Sequence, residues 1–275
     1  VAKLVQGVCR LTGSTGKFVD SHLIPKALTR AGGPYGPFTE GGIGRRPVVR
    51  HSSWYDPELV TQEGEAILAK LDDWAIRELR RTALVWSGWW PTKALTGIDL
   101  IPGTEWGIRF IESKQWRRLR IFFLSLLWRA AASTREEFSE VHLSDEDLER
   151  LRKMIVDENP DPIDYFQIQL IQLSTFGFEH NHTPIPGVKT IRGVNGGADY
   201  QVPFYRFYFD GLIAHFDRRP IAEIQKTPME ELVLGYGERL CVATVSYWES
   251  SQRKMLERMW QEADRWPRKT RLPKK

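Results

Sequence analysis

The sequence predicts an α+β protein, and three observations carry that reading. Apolar residues recur at helical spacing in several windows between Glu65 and Asn159; from Val188 the period drops to two; and a last helical window closes the chain before a basic tail. With 41% hydrophobic residues in 275, including eleven Trp and thirteen Phe, there is enough apolar surface for a full core.

The N-terminal stretch Cys9–Lys26, CRLTGSTGKFVDSHLIPK, reads as chemistry more than as packing. His22 stands two residues after Asp20 and just before Leu23 and Ile24, which Pro25 stops, so the histidine is pinned on a short strand. Residues 27–53 are rich in Gly, Pro and Arg and show no hydrophobic period, which predicts a long loop. Its glycines do not form a phosphate-cradling loop, because no Lys-Ser or Lys-Thr follows them. A helix is predicted over about 65–81, with Ile67, Leu68, Leu71, Ala75 and Leu79 on one face. The run Trp86-Ser87-Gly88-Trp89-Trp90-Pro91 is too aromatic to stay in water; core packing is expected, with base stacking by Trp89 or Trp90 as the alternative.

A second helix is predicted over 112–131, burying Trp116, Leu119, Phe123, Leu126, Leu127 and Ala130. Arg117, Arg118 and Arg120 near its start oppose the helix dipole and suggest a partner. A third opens at Ser144 with Asp147 three residues on, a capping-box-like start, and ends before Asn159-Pro160. Glu179-His180-Asn181-His182 is expected to be a solvated loop ahead of Pro184; in an extended chain His180 and His182 would share a face and be able to hold a metal. Strands follow over 188–193, 200–209 and 212–216, with turns at Asn195-Gly196-Gly197 and Asp210-Gly211, then a strand over 239–247 and a helix over about 249–265. Tyr205, Phe207 and Phe209 alternate with Phe204, Arg206 and Tyr208, so both faces of this sheet should be covered. The expected organisation is an N-terminal unit with its loop (1–90), a helical region (91–180), an antiparallel sheet with closing helix (181–264) and a basic tail (265–275).

Charge is unevenly placed. The first fifty residues hold eight Lys or Arg against Asp20 and Glu40, residues 265–275 hold six basic residues and no acid, and the stretch between is net negative. Positive potential around His22 suits a phosphate substrate, and Lys17, Lys26, Arg30, Arg45, Arg46 and Arg50 are the candidate nucleic-acid contacts. For the tail, simple solvation is the competing reading. Two cysteines, Cys9 and Cys241, are too few for a disulfide framework and predict a reduced, cytoplasmic protein. The longest apolar run, Ile121–Trp128, lies between Arg120 and Arg129 and is too short to span a membrane, so no membrane partner is expected. The N-terminal residues also lack the apolar stretch of a signal peptide.

Residues 9–26 resemble the bacterial HNH-like nucleases of the ββα-metal (treble-clef) class, in which a C-x-x-C-G knuckle precedes S-H-[LI]-I-P-K and a second knuckle, L-x-C-x-x-C-E, opens the metal-binding helix. The second knuckle is matched more weakly by Leu59-Val60-Thr61-Gln62-Glu63-Gly64-Glu65, and a looser likeness runs through Phe122–Ala130. The resemblance implies metal-dependent hydrolysis of nucleic-acid phosphodiesters, with His22 as general base and one divalent cation, Mg or Mn. It implies DNA in preference to RNA as partner, while aromatic-rich surfaces would serve a protein partner. Of the four thiolate positions only Cys9 keeps a cysteine; Thr12, Thr61 and Gly64 occupy the others, so no structural zinc is expected. Ser21 stands where an acid usually precedes the histidine, leaving Asp20 or Glu65 as metal ligands; the plain reading of Glu65 is an acid in the first helical turn. The alternative function is a catalytically inactive nucleic-acid-binding or assembly protein that kept the HNH-like fold.

Overall fold

The computed structural model describes residues 6–29, 38–42, 45–50, 53–90, 94–191, 199–224 and 230–265. Arg30 and the tail beyond residue 265 lie outside these, as does the predicted turn at residues 195–197.

A hairpin of β1 (Gln6–Val8) and β2 (Thr15–Lys17) leads into β3 (Ser21–His22). The expected long loop holds two strands, β4 (Phe38–Gly41) and β5 (Val48–Arg50), before β6 (Tyr55–Asp56) pairs antiparallel with β3. Helix α1 (Gln62–Arg81) follows, starting three residues earlier than the apolar period suggests because Thr61 and the polar Gln62–Gly64 form its first turn.

The central region is less helical than predicted. Between α1 and α2 (Trp116–Ala132) lie β7 (Asp99–Leu100) and β8 (Trp106–Glu112). After α3 (Asp145–Val156), whose N-cap Ser144 accepts from the Asp147 N–H at 3.1 Å, comes β9 (Ile168–Leu173). The remaining elements are β10 (His180–His182), β11 (Ile185–Ile191), β12 (Tyr200–Phe209), β13 (Leu212–Asp217), α4 (Ile221–Ile224), β14 (Arg239–Val245) and α5 (Ser251–Arg265).

The fold is mixed α+β, with a seven-stranded sheet ordered β11-β12-β13-β9-β14-β8-β7. The sheet is not purely antiparallel: β14 runs parallel to β9 and antiparallel to β8. Central β9 escapes prediction because its sequence, Ile-Gln-Leu-Ile-Gln-Leu, breaks strict alternation; Gln172 is buried and its amide donates to the Ala83 carbonyl. One sheet face carries Tyr205, Phe207, Phe209, Leu212, Ala214 and Phe216 into the same buried cluster as α1, α2 and the N-terminal Cys9, Leu11, Leu23 and Ile24. A smaller cluster built on Trp86, Trp89, Tyr208, Ile213 and Tyr247 covers part of the other face. Trp89 is therefore core, while Trp90 is 75% exposed.

Two charge expectations need correction. Arg120 does not face a partner: fully buried, it donates to the carbonyls of Pro160, Pro162, Tyr165 and Phe166, tying α2 to the loop before β9. Arg117 pairs with Asp161, and Arg118 lies 4.3 Å over the Trp74 ring. Residues 180–182 are not a solvated loop either. They form β10, parallel to β4, and His180, Asn181 and His182 are all buried. The Asn181 amide donates to the Thr29 carbonyl at 2.9 Å, and the His180 Nδ1 lies 2.9 Å from the Phe178 carbonyl, supplying the partners that burial of polar groups demands.

Candidate functional site around His22

The N-terminal unit is built on two chain reversals about fifty residues apart. In the first, Gly13 adopts φ 74°, which only glycine takes readily, and its N–H donates to the Cys9 carbonyl at 2.9 Å. The second is the entry to α1, where the Leu59 carbonyl accepts from Arg10 N–H at 3.1 Å. The reversals meet at the Cys9 sulfur. Thr12 N–H points to Sγ at 3.4 Å, and a Cβ placed on Gly64 would stand only 2.6 Å from it. Burial pushes the Cys9 thiol up, but the polar groups of Thr12 and Thr61 around the sulfur outweigh burial and leave it below its ordinary value. Cys9, Thr12, Thr61 and Gly64 thus converge, and one thiol fills the centre.

His22 lies one strand further on. Ser21 points inward and is fully buried, whereas the His22 imidazole is half-buried. Desolvation, reinforced by Lys26, lowers the His22 pKa below its ordinary value; the ring is uncharged at neutral pH. Glu65 faces Ser21 from the first turn of α1. Burial raises the Glu65 carboxyl, and the nearby Ser21 hydroxyl pulls it partly back. Among the described residues, its Oε2 and the Ser21 Oγ are both buried without a hydrogen-bond partner.

The cation at this place is Arg129 of α2. Its guanidinium, with the side chain 1% exposed, donates to Asp72 through both terminal nitrogens, to the His22 carbonyl at 3.1 Å and to Ser125 Oγ at 3.0 Å. Both His22 and Glu65 feel its charge. Asp72 has both oxygens committed to Arg129, and Asp20 is exposed. Among the described residues no three His, Cys, Asp or Glu side chains are grouped to hold a metal ion. The residues present do not fit a divalent ion: of the three carboxylates around His22, Asp72 is saturated by a guanidinium, Glu65 is turned to a buried hydroxyl and Asp20 is exposed, and no three ligating side chains are grouped among the described residues.

Of the candidate nucleic-acid contacts, the side chains of Lys17, Lys26, Arg45 and Arg46 are among the described residues. Lys17, Lys26 and Arg46 are exposed, whereas Arg45 is turned back to the carbonyl and carboxylate of Glu136. Arg50 lies in β5, its side chain outside the described residues, and Arg30 lies outside them altogether. Sequence reasoning missed Arg129 and Asp72. The available signal was an arginine ending an apolar helical run, since a buried cation requires a buried partner. Comparison with protein-family models, with curated proteins and with solved structures gave no match to this chain. No helix of the described residues is long and apolar enough to cross a membrane.

Proposed function

We propose that the N-terminal unit is a zinc-less HNH-like module in which an internal guanidinium has taken the place of the divalent cation, and that the protein binds nucleic acid without hydrolysing it. The observation that carries this reading is Arg129, whose buried guanidinium is held by Asp72 and the His22 carbonyl and whose charge reaches the His22 ring and Glu65, where the resemblance expects a divalent ion. The meeting of Cys9, Thr12, Thr61 and Gly64 supports the kinship with the treble-clef class, because unrelated sequences have no reason to place those four positions around one sulfur. Exposed Lys17, Lys26 and Arg46, with the basic tail, supply the positive charge that phosphate backbones require, and DNA is the preferred partner.

A second reading, retained hydrolysis, has one structural point in its favour. An uncharged His22 can accept a proton from water, and the unpartnered Oε2 of Glu65 is an available ligand atom. The two readings part in one assay series. Wild type, His22→Ala and a chain ending at residue 264 are titrated with labelled duplex and single-stranded oligonucleotides over a salt range, and incubated with them in Mg²⁺ or Mn²⁺. The proposal expects binding that weakens steeply with salt and on truncation, no cleavage, and unaltered affinity for His22→Ala. Divalent-dependent cleavage that falls by about 10² to 10⁴ in His22→Ala would establish the second reading instead. Absent or salt-independent binding would remove nucleic acid as the partner.

A further inference from the structure

The sheet face opposite the main core carries its own cluster of cations. Strand register sets it out in two rows. In the first, Arg206 of β12 stands directly opposite His215 of β13, and His215 opposite Gln169 of β9. In the next, Ile213 pairs with Ile171 and Ile171 with Ala243 of β14, giving a strip of purely apolar side chains. Lys189 of β11 reaches over the first row and donates to the Gln169 side-chain oxygen. A cavity of about 380 Å³ lies over both rows, within the size range of small-molecule sites. Trp106 and Leu232 at its rim are 43% and 37% exposed, so it is open to solvent.

The charges in this cavity are not balanced from within. The described residues include every Asp and Glu of the chain, and none forms an ion pair with Lys189 or Arg206. The nearby carboxylate, Asp217, is already held in a fork by Arg219. Arg206 spends only its Nε–H, on His215 Nε2 at 3.1 Å, and among the described residues its two terminal nitrogens donate to nothing. Phe204, stacked on His215 at 4.1 Å, lies beneath both cations, with Lys189 Nζ at 5.9 Å and Arg206 Cζ at 5.6 Å from its ring centre. Desolvation, partly offset by Asp217, holds Lys189 down to about 8, and desolvation lowers Arg206 too, the cost of keeping cations in an apolar hollow.

We propose that this cavity binds a small organic anion, its phosphate or carboxylate head held between Lys189 and the free fork of Arg206 and its apolar body lying along Ile213, Ile171 and Ala243. A planar guanidinium with both terminal nitrogens unused is shaped for an oxyanion, and the apolar row alongside it rejects a fully hydrated one such as free phosphate. The site is separate from the His22 unit and stands whether or not that unit binds nucleic acid.

The test is calorimetric titration of the full chain with phenyl phosphate, benzoate and the neutral benzamide. One molecule of phenyl phosphate or benzoate should bind per chain, and benzamide should not; the tighter of the two anions identifies the head group. Lys189→Gln and Arg206→Gln should each weaken that binding at least about tenfold, as loss of a charge-assisted hydrogen bond does. Ala243→Leu leaves both cations in place and fills the apolar row, so it keeps the idea testable should Arg206→Gln not fold; it must also weaken the aryl anion. Failure of both anions to bind, equal binding of benzamide, or an Ala243→Leu protein with unchanged affinity would each overturn the proposal.

Discussion

Replacing Arg129 by methionine probes the feature on which the functional reading turns. The substitution keeps most of the apolar stem and removes the guanidinium, leaving Asp72, 15% exposed, as an uncompensated carboxylate and the His22 carbonyl without its donor. Removing one member of a buried ion pair costs about 3–5 kcal/mol. The Asp72→Leu partner should do comparable harm by stranding the arginine. The double variant Arg129→Met/Asp72→Leu strands no charge, so only the His22 carbonyl remains unsatisfied, at about 1–3 kcal/mol. A double-mutant cycle measured by urea unfolding should therefore return a favourable coupling of at least about 2 kcal/mol. A loss below about 1 kcal/mol for Arg129→Met, or a double variant as unstable as the sum of the singles, would refute the account of Arg129 as the buried cation of the unit.

Further outcomes follow from the same contacts. Gly64→Ala drives a methyl into the Cys9 sulfur and should destabilise by about 1–3 kcal/mol, with part of the loss regained in Cys9→Ala/Gly64→Ala; an innocuous Gly64→Ala in thermal melts would contradict the convergence of the two chain reversals. Burial holds His180 down to about 4 against an ordinary 6.5, so between those values the unfolded chain binds the extra proton and stability falls as pH falls, by up to about 3 kcal/mol. His180→Gln should flatten that slope in urea midpoints taken from pH 7 to 4. Asp210 has the opposite sign: burial lifts its carboxyl to about 7 from 3.8, the folded state holds the extra proton, and stability is lost as pH rises through that window. Asp210→Asn keeps an acceptor for the Ser87 hydroxyl and tolerates the φ of 48° there; it should raise the melting temperature at pH 8 but not at pH 4.

Local signals made much of the fold legible. The apolar periods place α1, α2, α3 and α5 within a few residues, Ser144 marks a true N-cap, and β12 spans Tyr200–Phe209 as its alternation predicts, because a single amphipathic element carries its own period. The strands that the sequence hides are those whose stability comes from distant partners. Short β4 and β5 lie in a Gly- and Arg-rich segment and find their sheet through β10, some 140 residues away. At the candidate site, His22, Glu65 and the sulfur-centred quartet could be named from the chain, since the resemblance rests on short spacings. The state of that site could not. It depends on Arg129 and Asp72, 57 residues apart on two helices that meet only in the folded core, where burial turns an unremarkable arginine into a committed cation. Periodicity is a property of a window of sequence and is decided there; which carboxylate a buried charge finds is a property of packing, and only the tertiary structure decides it.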